Sequence, residues 1–226
     1  MMPAEAVEHA IRSRRAVRGF LPDPVDPALM RHLIDLAAQS PSGTNMQPWK
    51  LRVIGPQTRA RLEAALLAAL EAGERPGVEE YRYYPEHFRE PYLARRRKVG
   101  WDLYGLLGVV KGDTEGMKRQ TAANLRFFDA PVALMLTIDR DLEIGSWLDL
   151  GMFIQTLLVA TQGHGLDSCP QAIFAQFHTI VRRELVIPEN EIVVCGIAIG
   201  KADPEAPANR LVPEREPVES FTTWLD

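Results

Sequence analysis

Residues 40–55 read SPSGTNMQPWKLRVIG, a run of small polar groups, two amides and a tryptophan that feeds straight into a short apolar strand. A plain turn needs one or two residues that tolerate unusual backbone angles, not eight or nine in succession. Ser42, Thr44, Asn45 and Gln47 offer donors and acceptors, and Gly43 permits close backbone approach. Read locally, the stretch is either a solvated turn or a loop lining a site for a flat polar ligand. The rest of the chain has to decide.

Before the loop, Asp26-Pro27 caps an amphipathic helix whose stripe is Leu29, Met30, Leu33, Ile34, Leu36 and Ala37. A shorter helix at 4–13 precedes it. After the loop, 51–54 reads as a strand, stopped by Gly55-Pro56, and 57–72 as a helix. Residues 74–112 carry scattered Gly, Pro and aromatics with no sustained period. A helix at 115–127 ends at Asp129-Ala130-Pro131, and 132–138 is a fully apolar strand of the kind buried on both faces. A long apolar helix at 146–162, a short strand at 166–169, a helix at 176–185 and a last strand at 192–199 complete the body. The order predicts one α+β domain, its central sheet of four strands (to within one) covered by helices on both faces.

The 226-residue chain is long enough for a real core, and a net charge of −4 argues against a dedicated binder of nucleic acid or anionic membrane. The N-terminus lacks a signal-type apolar core, and the longest apolar run, 148–160, is broken by Asp149 and Gln155 and is too short to span a bilayer. Cys169 and Cys195 sit in apolar surroundings and read as buried small hydrophobes rather than a disulfide; the expected compartment is the cytoplasm. The five scattered histidines form no close ligand pair, so no metal site is expected. No GxSxG elbow, Walker loop or GxGxxG fingerprint occurs, which leaves a bound organic cofactor to carry any difficult chemistry.

Arg12, Arg14, Arg15 and Arg18 crowd one helix end. Guanidinium forks match phosphate oxygens in pairs, yet cations also complement the negative C-terminal end of a helix. Arg210 and Arg215 follow the last strand in a charged tail that also holds Phe221 and Trp224, apolar groups that prefer to be covered.

Taken together, SRRAVRGF (13–20), SPSGTNMQPWKLRVI (40–54), FFDAPVAL (127–134), GLDSCPQA (165–172) and the late basic tail resemble the nitroreductase family. The segment YRYYPEHFREPYLARRRKVGWDLYGLLGVVKGD (81–113) is similar to the insertion of a subgroup that acts on nitroaromatics such as nitrobenzoates. The resemblance implies a mainly antiparallel sheet, an intertwined homodimer, and FMN as the prosthetic group. NADH or NADPH and a nitroaromatic acceptor would take turns at one site, in ping-pong fashion. It places Arg14, Arg15 and Arg18 on the FMN phosphate and the pyrimidine side of the ring, with Ala16 standing where many members have Ser. Pro41, Ser42, Gly43 and Asn45 match a loop that reaches FMN across the dimer interface, and Pro170, Gln171 and Ala172 a segment whose backbone lies over the flavin. Arg215 matches a late phosphate ligand, and Arg126 a side chain near the ring. Residues 74–112 become an inserted substrate-side segment, and 201–226 an extension packing on the partner. No catalytic side chain is implied, since positioning and electrostatics are the protein's share. The competing readings are a reductase of quinones or other conjugated acceptors, a flavin-binding protein with little turnover, and a flavin-free scaffold.

All five tyrosines lie within 81–104, joined by Phe88 and Trp101. They are either pins holding an irregular segment to the body or a wall offering ring faces to an aromatic acceptor. The run Arg95, Arg96, Arg97, Lys98 reads as a solvated face; a member turned inward would favour an acidic nitroaromatic. Trp49 is expected to pack beneath the opening loop.

Overall fold

The computed structural model describes residues 2–74 and 79–225. In chain order come α1 (Pro3–Ser13), α2 (Pro27–Ala37), a 3-10 turn at Gly43–Asn45, β1 (Lys50–Ile54), α3 (Pro56–Glu71), α4 (Tyr92–Leu106) and α5 (Thr114–Leu125). A 3-10 turn at Phe127–Asp129 leads to β2 (Val132–Asp139), then α6 (Ile144–Gly163), β3 (Asp167–Gln171), α7 (Ile173–Gln176), α8 (His178–Leu185) and β4 (Glu191–Gly200). Asp26 caps α2 as its sequence predicts, accepting from the Ala28 N–H at 2.8 Å. The segment 74–112 departs from expectation because it contains α4, a 15-residue helix with no buried residue. Without a buried face it shows no apolar stripe, the signal by which a helix is recognised. Residues 75–78 of that segment lie outside the described residues.

The four strands are ordered β1-β2-β4-β3, and every neighbouring pair is antiparallel. On β2, Ala133 and Met135 enter one core while Leu134, Leu136 and Ile138 enter the other. The first core is closed by Leu62 and Leu66 of α3, Leu125 of α5, Phe174 of α7 and Val181 of α8. The second is closed by Met30 and Leu33 of α2 and by Leu150, Phe153 and Leu157 of α6. Two covered faces explain why 132–138 shows no polar alternation. By length and apolar content the 20-residue α6 could cross a bilayer, which the shorter run 148–160 does not suggest. Its place is on the sheet, with Leu150, Phe153, Leu157 and Leu158 buried there.

Gly196, at the centre of β4, has Phe174 directly above it: a Cβ would sit 2.4 Å from the Phe174 ring and 3.0 Å from that of Phe127. These two rings stack with centroids 4.3 Å apart and cannot both yield. Gly196→Ala is therefore expected to destabilise by about 1–3 kcal/mol. The urea midpoint measures it, and an unchanged midpoint would refute the packing argument.

The pairing of β2 with β4 passes from Leu136↔Cys195 to Thr137↔Val193, leaving Val194 as the extra residue of a bulge. The aromatic segment docks there. The Tyr81 hydroxyl donates to the Val194 carbonyl at 2.6 Å, and the Val193 N–H donates to the Glu80 carboxylate at 3.2 Å. Glu80 also receives Arg140 and, at 2.7 Å, Arg182. At the same end of the sheet, Glu191 is held by Arg52 at 2.9 Å and by the Thr137 hydroxyl at 2.6 Å.

Burial alone would raise both carboxyl pKa values. For Glu80 the Arg140 hydrogen bond, the Val193 N–H and the charge of Arg182 outweigh it; for Glu191 the bonds from Arg52 and Thr137 do so, and both end below the usual range. A depressed folded pKa contributes stability above the unfolded value of about 4.3, lost as pH falls through the folded value. The thermal midpoint should therefore drop steeply below about pH 4.3, and Glu191→Gln should flatten that drop. Parallel pH profiles for the variant and the parent would contradict this.

Candidate active site

Beyond α1 the chain runs extended along the outer edge of β3, where Ala16 bridges Ser168 in parallel and the Val17 N–H donates to the Ser168 carbonyl at 3.1 Å. The C-terminal tail clamps the next two residues. Asn209, 4% exposed, accepts from the Arg18 N–H at 2.7 Å and donates to the Gly19 and Asp203 carbonyls at 2.8 and 2.9 Å. Gly19 is required by this contact, since a Cβ there would lie 2.6 Å from Ala206 Cβ.

The clamp brings the two ends of the chain together. Arg12, Arg14, Arg15 and Arg215 line one cavity of about 980 Å³ with Gln155 and Asp167. None of the four guanidiniums is ion-paired among the described residues. Asp167 is instead occupied by the Ala202 N–H at 3.0 Å. Burial first, then the charge of Arg215, depresses the pKa of Arg14. Like charges gathered with no carboxylate paired to them among the described residues fit an anionic group such as a phosphate.

A second cavity of about 290 Å³ is lined by Arg18, Pro170, Gln171 and Ala172, with Tyr83 and Tyr84 from the aromatic segment. Gln171, 3% exposed, donates to the carbonyl and side-chain oxygens of Asn124, both at 2.7 Å. Among the described residues its Oε1 has no hydrogen-bond partner and is an acceptor free for a donor. Cys169 also lines this cavity; burial pushes its thiol up to about 11, against the opposing charges of Arg18 and Arg14. The thiol stays protonated and unreactive, and both cysteines are free and buried as expected.

Arg126 lies apart from the other expected residues. The backbone from Phe127 to Asp129 is left-handed, with φ of 55°, 53° and 61°, and Arg59 fixes the turn by donating to the carbonyls of Arg126 and Ala130. The Arg126 side chain then pairs with Asp129 at 3.1 Å and lines neither cavity. Asn124 and Phe128, which the sequence did not single out, reach the second cavity in its place.

In the opening loop the left-handed residues are Thr44, Asn45 and Gln47, with φ of 49°, 62° and 51°. Such angles cost free energy in non-glycine residues and are held by surrounding contacts. The Gly43 N–H donates to Asp149 of α6 at 3.1 Å, Ser42 Oγ accepts from the Gln47 N–H at 2.9 Å, and Trp49 stacks on Phe153 at 5.0 Å. Asp149 is buried, and its one carboxylate in an apolar helix was a legible signal of this anchor. Pro41, Ser42, Gly43 and Asn45 line neither cavity of their own chain.

An antiparallel sheet between helical layers carries guanidiniums from both termini, unpaired among the described residues, beside a small aromatic-rimmed cavity. The Nitroreductase family model matches residues 11–201, and the chain belongs to that family. It is 36% identical over 219 residues to the chloronitrobenzene nitroreductase of Comamonas testosteroni, covering 97% of this chain and 96% of that one. To the 4-nitrobenzoate reductase of Pseudomonas putida it is 37% identical over 215 residues, covering 95% and 93%. The FMN-dependent nitroreductase NfnB of Mycobacterium smegmatis, solved in complex with NADPH, matches with a TM-score of 0.93 at 34% identity over 99% of each chain.

Proposed function

We propose that the protein is an FMN-dependent reductase that oxidises NADPH or NADH and reduces nitroaromatic acceptors, working as a homodimer. The observation that carries the reading is the convergence of Arg14 and Arg215, unpaired, on one cavity beside Pro170–Gln171–Ala172. Its support from relatives lies in their names: a chloronitrobenzene and a nitrobenzoate reductase, and an FMN-dependent nitroreductase that binds NADPH.

When bound, FMN supplies the redox chemistry, taking hydride from NAD(P)H and passing electrons on to the acceptor. The protein's part is binding and placement. Arg14, Arg15 and Arg215 would hold the phosphate through charge-assisted bonds, and Arg18 would face the electron-rich side of the ring. Asn124 fixes the Gln171 amide so that the backbone of 170–172 presents one defined surface. Tyr83 and Tyr84, ring centroids 4.7 Å apart, offer a wall to a flat acceptor.

The dimer is part of the proposal. Phe221 and Trp224 are 71% and 80% exposed, and the outer face of α6 presents Ile144, Leu148 and Met152. A second copy would cover these groups and place its opening loop against the cavities that this chain's own loop does not reach. Because NAD(P)H is a reductant of the cell interior, a cytoplasmic location belongs to the same reading.

The test is direct. The purified dimer should be yellow, bleach anaerobically with NADPH or NADH, and regain its oxidised spectrum on addition of nitrobenzene. Colourless protein with no affinity for added FMN would end the proposal; faster reoxidation by quinones than by nitroaromatics would move the acceptor class.

A further inference from the structure

We propose that the acceptor site selects neutral over anionic nitroaromatics, and that Glu79 sets this selection. The proposal rests on the nitroaromatic reading above and deepens it, since the related proteins include reductases of both neutral and carboxylated acceptors at near-equal identity.

Among the described residues lining the second cavity, Arg18 and Glu79 alone carry charge. Arg18 donates to the Ala16 carbonyl at 3.3 Å and belongs, on the same reading, to the cofactor. The natural receptor for an acceptor carboxylate would be the basic run of α4, yet none of Arg95, Arg96, Arg97 and Lys98 lines the cavity. Arg95 pairs with Glu216 at 2.9 Å, and Lys98 with Asp102 at 2.8 Å and Glu214 at 3.3 Å. Arg96 lies over Phe88 at 4.6 Å and Tyr84 at 5.7 Å, behind the aromatic wall. Thus the C-terminal tail pairs with Arg95 and Lys98, and no cation of α4 lines the cavity.

Glu79 has no ion-pair partner among the described residues, and its charge is felt by the neighbouring Tyr81 hydroxyl. Tyr81 is itself stapled to the sheet bulge, which holds the adjoining Glu79 at the cavity. A carboxylate on the acceptor would meet an unneutralised like charge, whereas a neutral ring meets the tyrosine faces. Two unit charges about 6 Å apart at intermediate screening repel by an amount worth roughly tenfold in an equilibrium constant.

The experiment compares nitrobenzene with 4-nitrobenzoate as acceptors for the FMN-loaded dimer at saturating NADPH. The parent should show kcat/KM at least about tenfold higher for nitrobenzene, narrowing at high salt as the repulsion is screened. Glu79→Gln should raise kcat/KM for 4-nitrobenzoate by roughly five- to tenfold, mostly through KM, and leave nitrobenzene within about twofold. A parent that prefers 4-nitrobenzoate, or a variant that shifts both acceptors equally or neither, overturns the proposal. If neither compound is reduced, it is the activity reading that fails. The charge rule is then judged by calorimetric titration of benzamide and benzoate, which needs no turnover. Tighter benzamide binding that evens out in Glu79→Gln supports it, and equal dissociation constants in the parent overturn it.

Discussion

Titrated with FMN, apoprotein carrying Arg14→Gln and Arg215→Gln together is expected to bind more weakly than the parent by roughly a hundredfold to ten-thousandfold. Each charge-assisted hydrogen bond contributes about 1.5–3 kcal/mol, and two removed from one phosphate add to about 3–6 kcal/mol if the sites act independently. Either single change should account for about ten- to a hundredfold. A second readout separates ligand binding from general damage. In the empty protein these guanidiniums repel, and the charge of Arg215 depresses Arg14. Removing one should leave thermal stability without FMN unchanged or slightly raised. Loss of apoprotein stability alongside an unchanged FMN dissociation constant would show that the arginines are structural and that the phosphate lies elsewhere.

The other large effect is expected at Asn209→Ala. This change deletes three partly buried hydrogen bonds, to the Arg18 N–H and to the Gly19 and Asp203 carbonyls, and strands the groups they satisfied. Each buried group left unsatisfied costs about 1–3 kcal/mol, and partial relaxation brings the total to roughly 2–4 kcal/mol. Because the amide joins the N-terminal basic segment to the tail that carries Arg215, FMN affinity should fall as well, although Asn209 lines neither cavity. Urea unfolding of the apoprotein and an FMN titration measure the two effects separately. Full stability in the variant would mean that the bridges of Ala16 to Ser168 and Phe20 to Ala202 suffice to hold the segment.

Much of this site was legible in residue order. Arg14, Arg15 and Arg215 share one cavity and Arg18, Pro170, Gln171 and Ala172 the other, all residues singled out from the sequence. Arg126 lies outside both cavities beside a left-handed turn at Phe127, and no local pattern announces three such residues in succession without glycine. Of the aromatic segment, Tyr81 is pinned to the sheet through its bond to Val194 and lines the second cavity together with Tyr83 and Tyr84. The opening loop is anchored to α6 by Asp149 and turned through Thr44, Asn45 and Gln47, so its shape depends on a buried carboxylate about a hundred residues away.

Outside 74–112, the amino-acid order by itself determined the layers: which segments become strands and helices, and that both faces of the sheet are covered. Those features follow from where apolar side chains recur, and recurrence is a local property of the chain. Tertiary structure alone decided which polar groups meet. It set Asn209 against Arg18, 191 residues apart, Arg215 beside Arg14, and Glu80 and Tyr81 on the bulge at Val194. Hydrogen bonds and ion pairs demand placement to within a fraction of an ångström, and that placement is settled by how finished elements pack rather than by any periodicity within them.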